Sequence, residues 1–231
     1  MGLAGLLPTG PRRYHDLVNY LAHLFLARPS EGLLVGAIAA DFVRGRLESL
    51  PFAPDVLAGI RLHRLIDAYT DSHPLPRRSR DRFGAERRRY AGIIVDLLYD
   101  HFLARHWDRF SPQPLPSFCS ATYRLLLDHR GALPTPLITL LPRIAGEDWR
   151  GAYRHYRNVA PALERIGRRL KRGNGLLGVE RELRAVYDDV ERDFLGFFRE
   201  LIDAVARWRA DGSLGWILWR HSLIRSDSGR P

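Results

Sequence analysis

Apolar residues recur at helical spacing from about residue 17 to residue 110, with little of the alternation that marks a strand, and proline and glycine fall where helices must stop. This pattern predicts an all-α architecture. A first helix is expected from Asp16 to Arg28, ended by Pro29, with Ser30 as N-cap of a second over Glu31 to Leu47. Beyond Pro51 and Pro54 a third extends from Asp55 to Asp71, where Ser72-His73-Pro74-Leu75-Pro76 terminates it. A fourth, strongly apolar, spans Glu86 to Trp107. A proline-rich connector, Ser111 to Pro116, precedes amphipathic helices over Phe118 to His129, Ala160 to Arg172 and, longest, Val179 to Arg209. Helices of this length favour one helical domain over residues 18–210, between an N-terminal extension, 1–17, and a tail, 211–231, with a split near Ser111 as the two-domain alternative.

Composition narrows the class of protein. The chain has 231 residues, 45% of them hydrophobic, which is enough for a substantial core and excludes disorder of the whole. Lys plus Arg number 36 against 26 for Asp plus Glu, and the net charge of +10 points to an acidic partner: nucleic acid, an anionic membrane or an acidic protein. Nearly all of the basic residues are arginine, a bias that a GC-rich genome would also produce. The one cysteine, Cys119, excludes an intramolecular disulfide and a multi-cysteine zinc site, and fits a reducing cytoplasm. Any metal must therefore use histidine and carboxylate. No stretch approaches the ~18 to 20 apolar residues of a bilayer span, so a soluble chain without a membrane partner is expected.

Histidine and aspartate then appear at helical spacing in the first half. His63 and Asp67 are four apart, as are Asp67 and Asp71, so one helix face presents an imidazole and two carboxylates. Asp96 and Asp100 repeat the spacing, with His101 next, amid Ile93, Ile94, Leu97, Leu98 and Phe102. Carboxylates in such surroundings are costly to bury without a cation or an arginine such as Arg61 or Arg64. His23 and Asp41 complete the set. Such nitrogen and oxygen donors suit Mn, Fe, Mg or Zn and leave room for water and a phosphate, which makes phosphate-ester hydrolysis the natural chemistry. The plain alternative is a salt-linked helix face. His73 sits in a loop before Pro74, and His106, His129, His155 and His221 lack a patterned acidic partner and read as surface residues.

Four segments, Asn19-Tyr20-Leu21-Ala22-His23-Leu24, Asp41-Phe42-Val43, Gly59 through Pro74, and Arg89 through Ala104 with Trp107, resemble the acyl carrier protein phosphodiesterase family in order and spacing. The resemblance implies an all-helical fold distantly related to the HD phosphohydrolases and a metal-dependent, typically manganese-dependent, cleavage of holo acyl carrier protein to the apo protein and 4'-phosphopantetheine. Carried over by position, it implies His23, Asp41, His63, Asp67, Asp96, Asp100 and His101 as the metal and catalytic set; the first five are the expected metal residues, and Asp100 or His101 is expected to relay protons to the leaving serine oxygen. One departure stands out: the family's Gly-Asn-x-x-Gly-Asp is Gly36-Ala37-Ile38-Ala39-Ala40-Asp41 here, without the amide and the second glycine. The family's opening motif lies just behind Val18, which raises the alternative of a start at that codon.

Charge adds a partner surface. Residues 77–89 carry seven arginines against Asp81 and Glu86, a local +5 between the two motif helices. Arg78, Arg87 and Arg88 are the expected docking residues for an acidic carrier protein, with a solvated helix start as the alternative. A second run, Arg165, Arg168, Arg169, Lys171 and Arg172, reads as a solvated helix face. Two rival functions remain at this level: an HD-like phosphohydrolase acting on a nucleotide or other small phosphodiester, and a basic helical binding protein. Against the second, no helix-turn-helix or stacking-aromatic motif is present, so nucleic acid is not the expected partner.

Overall fold

The computed structural model describes residues 20–147, 154–168, 170 and 175–212; the expected extension, most of the expected tail, the Val18 start and His221 lie outside them. Among the described residues there are helices and no strand. They are α1 (Tyr20–Ala27), α2 (Glu31–Ala39), α3 (Pro54–Ser72), α4 (Pro74–Asp81), α5 (Ala91–Arg105), α6 (Leu115–Asp128), α7 (Thr135–Glu147), α8 (Val159–Gly167) and α9 (Glu180–Ala210). One hydrophobic core joins both halves of the chain. Phe25 of α1 packs against Phe198 of α9 with ring centroids 5.6 Å apart, so the split near Ser111 does not occur.

Three expectations about helices are corrected. The second helix ends at Ala39 rather than Leu47: Ala40–Phe42 forms a 3-10 turn, Val43 is extended, and Gly45 takes φ 100°, a backbone state that an L side chain resists. The proline-rich segment after Asp71 does end α3, since His73 before Pro74 is extended, but it also starts α4. Pro74 and Pro76 occupy the first turn, where backbone N–H groups have no partner inside the helix, and His73 Nδ1 accepts the Leu75 N–H at 3.2 Å. The third correction is α7, absent from the periodicity reading, which buries Leu137 and Leu141.

Two contacts place the helices that carry chemistry. At the α2–α3 crossing the backbones touch: a Cβ on Gly59 would lie 2.5 Å from the Leu33 oxygen and 2.9 Å from Gly36 Cα. Only glycine permits that approach. The short helix α1 is held at both ends by distant side chains. Asp100 of α5 accepts the Leu21 and Ala22 N–H groups at 3.3 Å, and Arg209 of α9 donates to the carbonyls of Leu26 at 2.5 Å and Arg28 at 2.6 Å.

Candidate metal centre

His63 lies one helical turn after Gly59, so the close crossing sets its ring against α2. Its Nδ1 is 2.7 Å from the Ala37 oxygen; a carbonyl can only accept, so Nδ1 carries the hydrogen and Nε2 faces the site. That Nε2 lies 3.2 Å from Asp41 Oδ1 and 3.3 Å from Asp67 Oδ2. Asp41 reaches it because the chain leaves α2 in the 3-10 turn, and Arg64 ties the segment just after that turn to α3 by donating to the Gly45 oxygen at 3.0 Å. The alanines that replace the family's amide and second glycine leave this geometry intact. Ala37 contributes its backbone carbonyl, and Ala40 sits at φ −54° and ψ −37°, where glycine is not required.

His23 enters from α1. Its ring stacks on that of His63 with centroids 3.9 Å apart and planes 13° apart, and its Nε2 is 3.3 Å from Asp67 Oδ1. Both imidazoles are buried, and the Nδ1 of His23 has no hydrogen-bond partner among the described residues. A positive charge on one stacked ring disfavours a second on the other. Burial pulls the His63 proton affinity down, but the carboxylates of Asp67 and Asp41 outweigh it and hold the pKa at about 10. Burial and the neighbouring His63 charge lower that of His23. Burial alone would raise the Asp67 carboxyl, yet the two histidines hold it far below the ordinary carboxylate range.

Ligand atoms of His23, His63 and Asp67 all lie within 4.8 Å of one another, with Asp41 on the same His63 nitrogen. Asp96, on α5, is outside that group. Burial first, then the charges of Asp67, Asp71 and Asp100, push its carboxyl up to about 7, with Arg80 opposing. Arg80 itself reaches Asp71, Nη1 to Oδ1 at 3.3 Å. Asp100 is engaged at the α1 N-terminus, and His101 Nε2 lies 2.6 Å from the Tyr187 hydroxyl on α9. Sequence periodicity did not signal either contact, because both partners come from distant segments.

The arginines of the expected docking surface divide. Arg78 forms a two-nitrogen contact with Asp193 of α9, which is 1% exposed and also accepts from Ser79 at 3.0 Å and Arg82 at 3.3 Å. Arg87 donates to the Leu177 oxygen at 2.9 Å and to Glu182 at 3.4 Å. Arg77, Arg88 and Arg89 are exposed and make no ion pair among the described residues. His106 is corrected from surface residue to half-buried partner: its Nε2 is 2.7 Å from Glu191, an acid on α9 that local spacing could not reveal. His73 Nε2 meets Glu200 at 3.1 Å, His129 is 3.9 Å from Glu31, and His155 is exposed. Arg165 and Arg168 are exposed as expected, while Arg169, Lys171 and Arg172 lie outside the described residues. No helix among the described residues is long and apolar enough to cross a membrane.

Comparison with known proteins agrees with the motif resemblance. A family model described as acyl carrier protein phosphodiesterase matches residues 18–201. Curated acyl carrier protein phosphodiesterases from Escherichia coli O45:K1 and O127:H6 are each 37% identical over 191 residues, covering 82% of this chain and 98% of the relative. No solved structure matches, so kinship with the HD phosphohydrolases rests on the resemblance alone.

Proposed function

The chain belongs to the acyl carrier protein phosphodiesterase family, and from that premise we propose that it hydrolyses the phosphodiester joining 4'-phosphopantetheine to a serine of holo acyl carrier protein, using a divalent metal, manganese first. The observation that carries the metal reading is the convergence of His23, His63 and Asp67 within 4.8 Å. The donor chemistry fits: two imidazoles and the carboxylates of Asp67 and Asp41. A bound cation would supply charge stabilisation at the phosphate and acidify a coordinated water.

The chain's own groups do the rest. His63, anchored by Ala37, and His23, on the doubly held α1, present nitrogen donors whose positions are set before a ligand arrives. Asp96, a carboxyl that burial in the metal-free chain pushes up to about 7, is in this reading the group that passes a proton to the leaving serine oxygen as the phosphorus–oxygen bond breaks. This assignment moves proton transfer from the expected Asp100 and His101 to Asp96, because Asp100 is engaged by the α1 backbone and His101 by Tyr187. Arg80 offers positive charge beside the carboxylates.

Docking of the acidic carrier protein falls to Arg77, Arg88 and Arg89 in this reading, with Arg78 and Arg87 holding α9 in place. The buried free thiol of Cys119 and the carrier-protein substrate both support a cytoplasmic location. The test is the intact mass of holo carrier protein incubated with the protein and Mn²⁺, with and without chelator. Loss of the phosphopantetheine mass only when metal is present is the expected result; an unchanged mass overturns the reading, and cleavage of a nucleotide panel instead would support the small-phosphodiester rival.

A further inference from the structure

A cavity of about 520 Å³ opens beside the C-terminal end of α1, between α2, α6 and the 111–113 loop. It is distinct from the metal centre: at about 100° per residue, Phe25 lies roughly 160° around the α1 axis from His23, and none of His23, Asp41, His63 and Asp67 lines the cavity. Its walls include Phe25, Leu34, Phe118, Thr122 and Leu125, with the Arg28 guanidinium among them. That volume lies in the range of small-molecule sites, which combine an apolar lining with a few placed polar groups.

Arg28 is the unusual member. Its guanidinium carbon sits 4.0 Å from the Phe25 ring centroid and 5.2 Å from that of Phe118. Its Nε donates to the Phe25 oxygen and its Nη1 to Ser111 Oγ, each at 3.0 Å. These partners are neutral oxygens and aromatic faces; no carboxylate pairs with Arg28 among the described residues, and its Nη2 makes no hydrogen bond with them. Burial lowers its pKa, the sign of a cation lacking a counter-charge. Arg78, Arg82 and Arg87 each meet an acid. Arg209, which also meets no acid among the described residues, spends both terminal nitrogens on the carbonyls of Leu26 and Arg28 and lines no part of this cavity, whereas Arg28 faces it. An uncompensated, half-buried guanidinium favours a carboxylate, which it can bind through charge-assisted hydrogen bonds. The apolar walls favour a hydrocarbon chain.

We propose that this cavity is a second ligand site, for an aliphatic carboxylate, with the carboxylate on Arg28 and the chain along Phe25, Leu34, Phe118 and Leu125. Calorimetric titration of the full chain without added metal tests it, using decanoate below its micellar concentration, decanol and N-acetyl-leucine. Saturable decanoate binding is expected, at least tenfold tighter than decanol or N-acetyl-leucine. Arg28→Met should weaken decanoate at least tenfold, and Ala121→Trp, which fills the cavity from its wall without touching the Arg28 hydrogen bonds, should abolish it. Absence of saturable binding, equal affinity for decanol, equal affinity for N-acetyl-leucine, or decanoate binding unchanged by Ala121→Trp would each overturn the proposal. Should Arg28→Met fail to fold, Ala121→Trp and the decanol comparison decide. The readout needs no metal and no carrier protein, so its outcome is independent of the hydrolytic reading.

Discussion

Gly36 of α2 and Gly59 of α3 meet backbone to backbone, and the residues that follow each of them, Ala37 and Asp41 on one side and His63 and Asp67 on the other, make the candidate centre. Gly59→Ala is therefore expected to force the helices apart. Overpacking of this kind costs about 1–3 kcal/mol, and the shift would separate His63 from Ala37 and Asp41. Urea denaturation and Mn²⁺ titration of the variant should show lower stability and weaker metal binding together; wild-type metal affinity in a destabilised variant would contradict the link.

Stability of the metal-free chain should depend on pH through the same cluster. His63 holds its proton to about pH 10 when folded and to about 6.5 when unfolded, so its contribution is complete below 6.5 and is lost as pH rises through 10. Asp67 has the opposite sign: its contribution is present above the ordinary carboxylate value of 3.8 and falls away as acid is added. Denaturation midpoints across pH 3 to 11 should show both limbs, and His63→Gln should flatten the alkaline one. Metal must displace the His63 proton, so Mn²⁺ affinity should rise with pH over this range.

Asp96 should separate activity from stability. Its folded carboxyl is raised from 3.8 to about 7, so folding loses stability as pH climbs from 3.8 to 7. Asp96→Asn removes that loss and is expected to be more stable than wild type at pH 8 and equal to it near pH 3. Turnover should fall by about 10² or more, the typical contribution of a proton-transfer group. A variant that keeps near-normal turnover would remove Asp96 from the chemistry.

Asp100 and His101 should behave as positioning residues. Asp100→Ala leaves the α1 N–H groups without their acceptor and is expected to cost about 0.5–2 kcal/mol, with Mn²⁺ affinity reduced through His23. Asp100→Asn, which can still accept a hydrogen bond, should restore most of both. His101→Phe removes the contact with Tyr187 and should cost about 1 kcal/mol while changing kcat only a few-fold. Loss of turnover in a stably folded His101→Phe would return the catalytic role to it.

The arginines should divide by phenotype. Charge reversal at Arg88 and Arg89 is expected to raise KM for the carrier protein several-fold and to flatten its dependence on salt, with kcat and stability unchanged. Arg78→Ala should instead destabilise the fold, since it removes one of the cations facing the buried Asp193 carboxylate, an effect moderated because the Arg78 side chain is largely exposed and Ser79 and Arg82 still reach Asp193.

Local periodicity determined a good part of this protein. The i to i+4 spacing of His63 with Asp67, and of Asp96 with Asp100, places each pair on one helix face in any helical fold, and the burial of α5 follows from its apolar sequence. The identities of the donors were legible too, because a chain with one cysteine leaves only imidazole and carboxylate for a metal. Tertiary structure alone decided which of them meet. Nothing in the spacing of His23 and Asp67 signals that their side chains touch, and Asp41 reaches His63 only because α2 stops at Ala39 and turns. The same holds for Arg78 on Asp193, 115 residues away, and for Asp100 on the α1 backbone: such contacts have no period along the chain, since they arise from packing of helices whose separation in sequence does not set their separation in space.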